Sequence, residues 1–129
     1  MGKRVHVVSK REEYGNREAF NWCHVEFHAL LDLLGCDVAS EEEWSDRFEC
    51  PIEAYKKALE ALKSYKKHGM QSRKMKALME EFDFSEEELL ERVNNLGDEE
   101  KILDYIVDVM QDFWKERDKK SGWISFLAW

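Results

Sequence analysis

The sequence predicts an α+β fold, mostly helical: a helical bundle carrying a small sheet formed by short N- and C-terminal strands. Three observations predict it. Residues 4–9 (RVHVVS) are short and β-branched, residues 123–129 (WISFLAW) are rich in aromatic and β-branched side chains, and the residues between carry helical periodicity and helix-end signals. Two strands alone are marginal in water, so the first and last strands are expected to pair against a helical face. An all-helical fold with extended ends is the alternative. With 129 residues the chain can bury a core without disulfides or metal, and it is read as a single domain over 1–129.

After the first strand, the charged stretch ending in Tyr14-Gly15-Asn16 reads as a loop, with Asn16 as a helix N-cap. A helix is expected over 17–34, ended by Gly35 in the left-handed conformation that glycine adopts freely. Ser40 and Glu43 form a capping-box pattern that opens a short helical segment through Phe48. Pro51 suits the first turn of the next helix, which runs to His68 and stops at Gly69. Ser72 is placed to cap a brief helix to Phe82. Ser85 with Glu88 forms a second capping box, and Phe84 with Leu89 is spaced as its hydrophobic staple. That helix ends near Gly97; Asp98 caps the last and longest one, which runs to Lys119.

Composition excludes several function classes. A net charge of −8 disfavours general affinity for nucleic acid or anionic membranes. An aromatic content of 12% argues against disorder. Cys23, Cys36 and Cys50 show no CxxC spacing and read as reduced packing thiols. No window approaches the ~20 apolar residues of a membrane span. The apolar run after Arg4 is broken by His6, which argues against a signal peptide, and His6 also stands where a myristoylation motif wants Ser or Thr. A cytoplasmic protein with no cofactor is expected.

Charge is segregated along the chain. Residues 56–76 hold Lys56, Lys57, Lys63, Lys66, Lys67, Arg73, Lys74 and Lys76 against Glu60 alone, whereas residues 80–112 are strongly acidic. Mutual neutralisation within the fold, or plain solvation, is the ordinary reading of such blocks.

The last helix carries the sharpest pattern. Ile102, Leu103, Ile106, Val107, Val109, Met110, Phe113 and Trp114 fill an arc of roughly 160°, a core stripe. The opposite arc holds Glu100, Asp104, Asp108 and Asp112 at intervals of four, with neighbours ~6 Å apart along the axis. Glu116 continues the interval but drifts toward the apolar edge. Like charges so spaced oppose each other by a few tenths of a kcal/mol per pair. The spacing approximates that of successive phosphates on a nucleic-acid strand, so such a ridge suits a basic cleft on a partner protein.

The first helix is apolar on two sides: Phe20, Cys23, Phe27, Leu30, Leu31 and Leu34 on one, Trp22, Ala29 and Leu33 on the other, with Val25 nearby. Such a helix is either the buried centre of the bundle or half-exposed for a partner, in which case Trp22 is the natural anchor. His24 and His28, four apart, are weak metal candidates without a completing ligand of obvious spacing. No phosphate-binding glycine loop, nucleophile elbow or catalytic set is present in the sequence.

The function expected is therefore a small acidic protein-interaction module, not an enzyme, that binds a partner with a basic surface and neutralises it. An immunity protein or a phage-type inhibitor of a defence protein has this character. Its binding residues are expected to be Glu100, Asp104, Asp108, Asp112 and Trp22, with no direct binding of nucleic acid or membrane. A regulatory module acting by homodimerisation, through the second face of the first helix or the open edge of the terminal strands, is the alternative. A small metal-dependent enzyme using His24 and His28 ranks below both.

Overall fold

The computed structural model describes residues 5–10, 13–15, 17, 19–20, 24–35, 37–41, 46–96 and 100–128. Its elements run β1 (Val5–Lys10), β2 (Glu13–Tyr14), α1 (His24–Leu34), β3 (Asp37–Glu41), β4 (Asp46–Pro51), α2 (Ile52–His68), α3 (Arg73–Phe82), α4 (Glu86–Leu96), α5 (Glu100–Glu116) and β5 (Trp123–Ala128). This is the helical α+β fold that the terminal strands and the helical middle predict. The first and last strands pair antiparallel, with Val5 opposite Ala128, His6 opposite Leu127 and Val7 opposite Phe126.

The sheet is larger than those two strands. Five antiparallel strands stand in the order β2-β1-β5-β4-β3, so the C-terminal strand fills the centre. Here the expected helical segment from Ser40 to Phe48 is corrected: Ser40 pairs with Arg47 and Glu41 with Asp46 in a β3–β4 ladder, while residues 42–45 lie outside the described ones. The reason is non-local. β4 lies against β5 from Asp46–Ala128 to Pro51–Trp123, and Phe48 and Cys50 alternate into the core with Arg47 and Glu49 on the other side. A capping-box pattern is a local preference, and a second ladder partner outweighs it.

The first helix is also shorter than its periodicity predicts. Ala19 exchanges backbone hydrogen bonds with Val5 at 2.9 and 3.0 Å, and Phe20 takes a positive φ of 60°, so the described residues 17, 19 and 20 form a non-helical strap, and α1 is described from His24. Asn16 lies outside the described residues. At the other end Gly35 has φ +64°, the conformation expected of it.

The remaining helix ends follow their chemistry. Pro51 closes β4 and stands immediately before α2, one position earlier than expected. Ser72 Oγ accepts from Met75 N–H at 3.0 Å, and Ser85 Oγ from Glu88 N–H at 3.1 Å, as the two caps require. Gly97 and Asp98 lie outside the described residues. α5 ends at Glu116 rather than Lys119. Arg117 folds back over the Trp114 ring, 3.6 Å from its centroid, and Asp118 N–H bonds Val8 C=O at 3.1 Å, which turns the chain into the sheet.

α2 and α5 pack on the sheet and carry the centre of the core. On α5, Ile106, Val109 and Met110 are fully buried, and Leu103, Val107 and Phe113 nearly so, as the stripe predicts. Phe126 of β5 lies between Tyr55 and Phe113, with ring centroids 5.9 and 5.5 Å away, and Tyr55 stacks on Trp114. Two-sided apolarity makes α1 a buried element, since Leu33 is as inaccessible as Leu30 and Leu34. It packs chiefly against α4, where Arg92 covers Phe84 at 4.2 Å and reaches Asp32 at 3.5 Å.

Candidate functional site: the acidic face of the last helix

The core stripe fixes the rotation of α5, and that rotation turns Asp104, Asp108 and Asp112 outward. Their side chains are 47, 63 and 35% exposed. Glu100 opens the helix, and its side chain lies outside the described ones. Each of the three aspartates has one cationic neighbour. Lys66 of α2 pairs with Asp104. Arg17 bridges the next two, its guanidinium 3.5 Å from Asp108 and 3.0 Å from Asp112. Glu116 is drawn in as well, accepting the backbone N–H of Arg17 at 3.0 Å.

Arg17 reaches the ridge because the strap before α1 is laid along α5. Gly15 N–H bonds Val7 C=O at 2.7 Å, and Phe20 N–H bonds the Tyr105 hydroxyl at 3.0 Å. The rings of Phe20 and Tyr105 meet edge to face at 5.9 Å. Gly15 lets the strap approach α5 closely: a β-carbon there would stand 3.0 Å from Glu116 Cβ and push the Glu116 carboxylate aside. This device was invisible in a sequence read as continuous helix from residue 17.

The basic segment therefore covers only one end of the ridge. Among its other members, Lys57 bonds Glu81 at 2.6 Å and Lys74 bonds Glu60 at 3.1 Å, both tying α2 to α3 or α3 to α2 rather than to α5. The hydrogen bond that the Lys57 ammonium donates to Glu81 holds it above the ordinary lysine range against the opposing effect of burial, and the charges of Glu81, Glu53 and Glu80 act in the raising sense. Between α2 and α5 lies an open groove of about 480 Å³, lined by Lys63, Lys66 and Lys67 on one wall and Asp104, Val107, Asp108 and Gln111 on the other.

The acids of 80–91 sit elsewhere. Glu86, Glu87 and Glu88 occupy the first turn of α4, where the helix dipole favours negative charge, which gives them a structural account. Trp22 and Cys23 lie outside the described residues, as does the side chain of His24. His28 is exposed, beside Phe27. Among the described residues no three His, Cys, Asp or Glu side chains are grouped to hold a metal ion.

The two routes expected for self-association are altered. β1 and β5 are interior strands, so the edges of the sheet are β2 and β3 and not the terminal strands as expected, and the second face of α1 is buried at Leu33. The exposed tryptophan that does appear is Trp123, 52% accessible on β5. Its signal was present in the sequence: Ile124 and Phe126 must face the core, which turns Trp123 the other way.

Comparison with protein-family models, curated proteins and solved structures finds no match to this chain. Among the described residues no helix is long and apolar enough to cross a membrane. The class that the fold defines is a helical α+β protein whose helices α2 and α5 pack on a five-stranded antiparallel sheet.

Proposed function

We propose that the chain is a small acidic protein-interaction module that binds a partner protein through the outer face of α5 and neutralises it, as an immunity protein or a phage-type defence inhibitor does. The observation that supports this most is the state of Asp104, Asp108 and Asp112. They face solvent at single-turn intervals on a helix anchored by its buried stripe, and their ion pairs with Lys66 and Arg17 are reached by water.

Ion pairs of that kind are worth about 0–1 kcal/mol. A partner's arginines or lysines therefore displace Lys66 and Arg17 at small cost, and the helix beneath needs no ordering. The partner is a protein with a row of cations, of the kind that lines a cleft built for nucleic acid. Encounter is steered by charge, so association is fast and falls with added salt. The chain acts as a binder in this reading, with no reaction of its own, in a cytoplasmic setting.

The test uses the wild-type chain and the Asp104→Asn/Asp108→Asn/Asp112→Asn variant as baits in lysate of the native host, followed by association kinetics of any protein that distinguishes them. The expected partner is basic, and its on-rate drops by about tenfold in the triple variant and with rising salt. A partner that associates equally fast with both chains removes α5 from the interface.

A further inference from the structure

The groove between α2 and α5 gathers three lysines on one wall, and internal pairing leaves two of them over. Its walls carry Lys63, Lys66 and Lys67 against Asp104 and Asp108. Asp104 is paired with Lys66, and Asp108 has the Arg17 guanidinium 3.5 Å away. Each carboxylate thus has a cation from elsewhere in the fold, while Lys63 and Lys67 are exposed and make no ion pair among the described residues. They stand one helical turn apart on the same wall, ~6 Å along the axis.

We propose that this groove binds a small phosphorylated molecule, with Lys63 and Lys67 taking the phosphate. Two ammonium groups at that spacing match the dianion of a phosphate monoester, and lysine binds phosphate as a point charge without demanding a fixed fork geometry. Gln111 offers a neutral donor and acceptor to the rest of the ligand, and Val107 supplies an apolar floor. At about 480 Å³ the groove falls within the roughly 300–1,000 Å³ typical of small-molecule sites. A nucleic-acid strand does not fit this chemistry, because it would have to continue past Asp104, Asp108 and Asp112. The groove shares its Asp104 and Asp108 wall with the protein-binding face of α5, but the variants that test the two readings do not overlap.

Titration of the full-length ¹⁵N-labelled chain with inorganic phosphate, a hexose 6-phosphate and a phosphoserine peptide, at constant ionic strength, tests the proposal. Saturable amide shifts are expected in residues 63–67 and 104–111, with the sugar phosphate binding more tightly than inorganic phosphate. Lys63→Gln/Lys67→Gln should weaken that binding by about tenfold or more, as loss of two charge-assisted contacts requires. Lys56→Gln/Lys76→Gln, which removes two exposed lysines outside the groove, should leave it unchanged. The proposal is overturned by an absence of saturable shifts at the groove in the millimolar range, by equal weakening in both double variants, or by a phosphopeptide that outcompetes the sugar phosphate.

Discussion

Tyr55 shows how much a single side chain holds in this fold. It is fully buried on α2, stacks on Trp114, touches Phe126 of the sheet, and donates its hydroxyl hydrogen to the Met110 carbonyl of α5 at 2.7 Å. Removing the hydroxyl alone, by Tyr55→Phe, leaves the ring packing in place and is expected to cost about 1 kcal/mol. Tyr55→Ala opens a cavity between two helices and the sheet and is expected to cost about 3–5 kcal/mol. Urea denaturation of the three chains checks both values; equal losses would show that the ring contributes nothing beyond its hydroxyl. That Tyr55 belongs to the core is legible in its helical spacing from the apolar Leu59 and Leu62, four and seven residues on. Its hydrogen-bond partner was not, because periodicity assigns a residue to a face and is silent on which distant carbonyl that face meets. The same holds for Arg17, whose partners Asp108 and Asp112 are reached only once the strap is laid on α5.

At the scale of elements, what was legible divides according to whether the signal is local. The caps of α3 and α4 are local: a serine hydroxyl reaches a backbone N–H three residues on, whatever surrounds it. Ser72 is also buried, so its loss leaves the Met75 N–H without water to replace the bond. Ser72→Ala is therefore expected to destabilise the chain by about 1–2 kcal/mol, more than Ser85→Ala at the exposed start of α4. Thermal or urea unfolding of the two variants ranks them, and a reversed order would contradict the part played by burial. β3 and β4 are the opposite case. Their polar, acid-rich residues resemble a helix start when read alone, and they become strands because β5 supplies a ladder for β4. The alternation of Phe48 and Cys50 with Arg47 and Glu49 was the available clue, but four residues of period two compete poorly with a complete capping pattern.

For the whole molecule, the decisive fact is that the C-terminal strand occupies the middle of the sheet. β5 separates the β2–β1 pair from the β4–β3 pair, so residues more than one hundred positions apart must meet before the sheet exists. The sequence predicts the meeting of the two ends, since neither has another apolar strand signal to pair with. It does not show that a second hairpin closes on the far side. Ending the chain before Trp123 would leave two ribbons, each marginal alone, and would uncover Phe113 and Tyr55 where Phe126 now covers them. The truncated chain is therefore expected to keep helical circular dichroism but lose its cooperative unfolding transition and bind a hydrophobic dye, the signature of helices without fixed packing. Adding the peptide of residues 123–129 in excess should restore the transition, because the slot between β1 and β4 offers hydrogen bonds on both sides and an apolar floor for Ile124 and Phe126. If the truncated chain unfolds cooperatively at the full-length midpoint, the helices alone hold the fold and β5 merely decorates it. Long-range pairing of this kind also slows folding, so the full-length chain should refold more slowly than a helical bundle of its size.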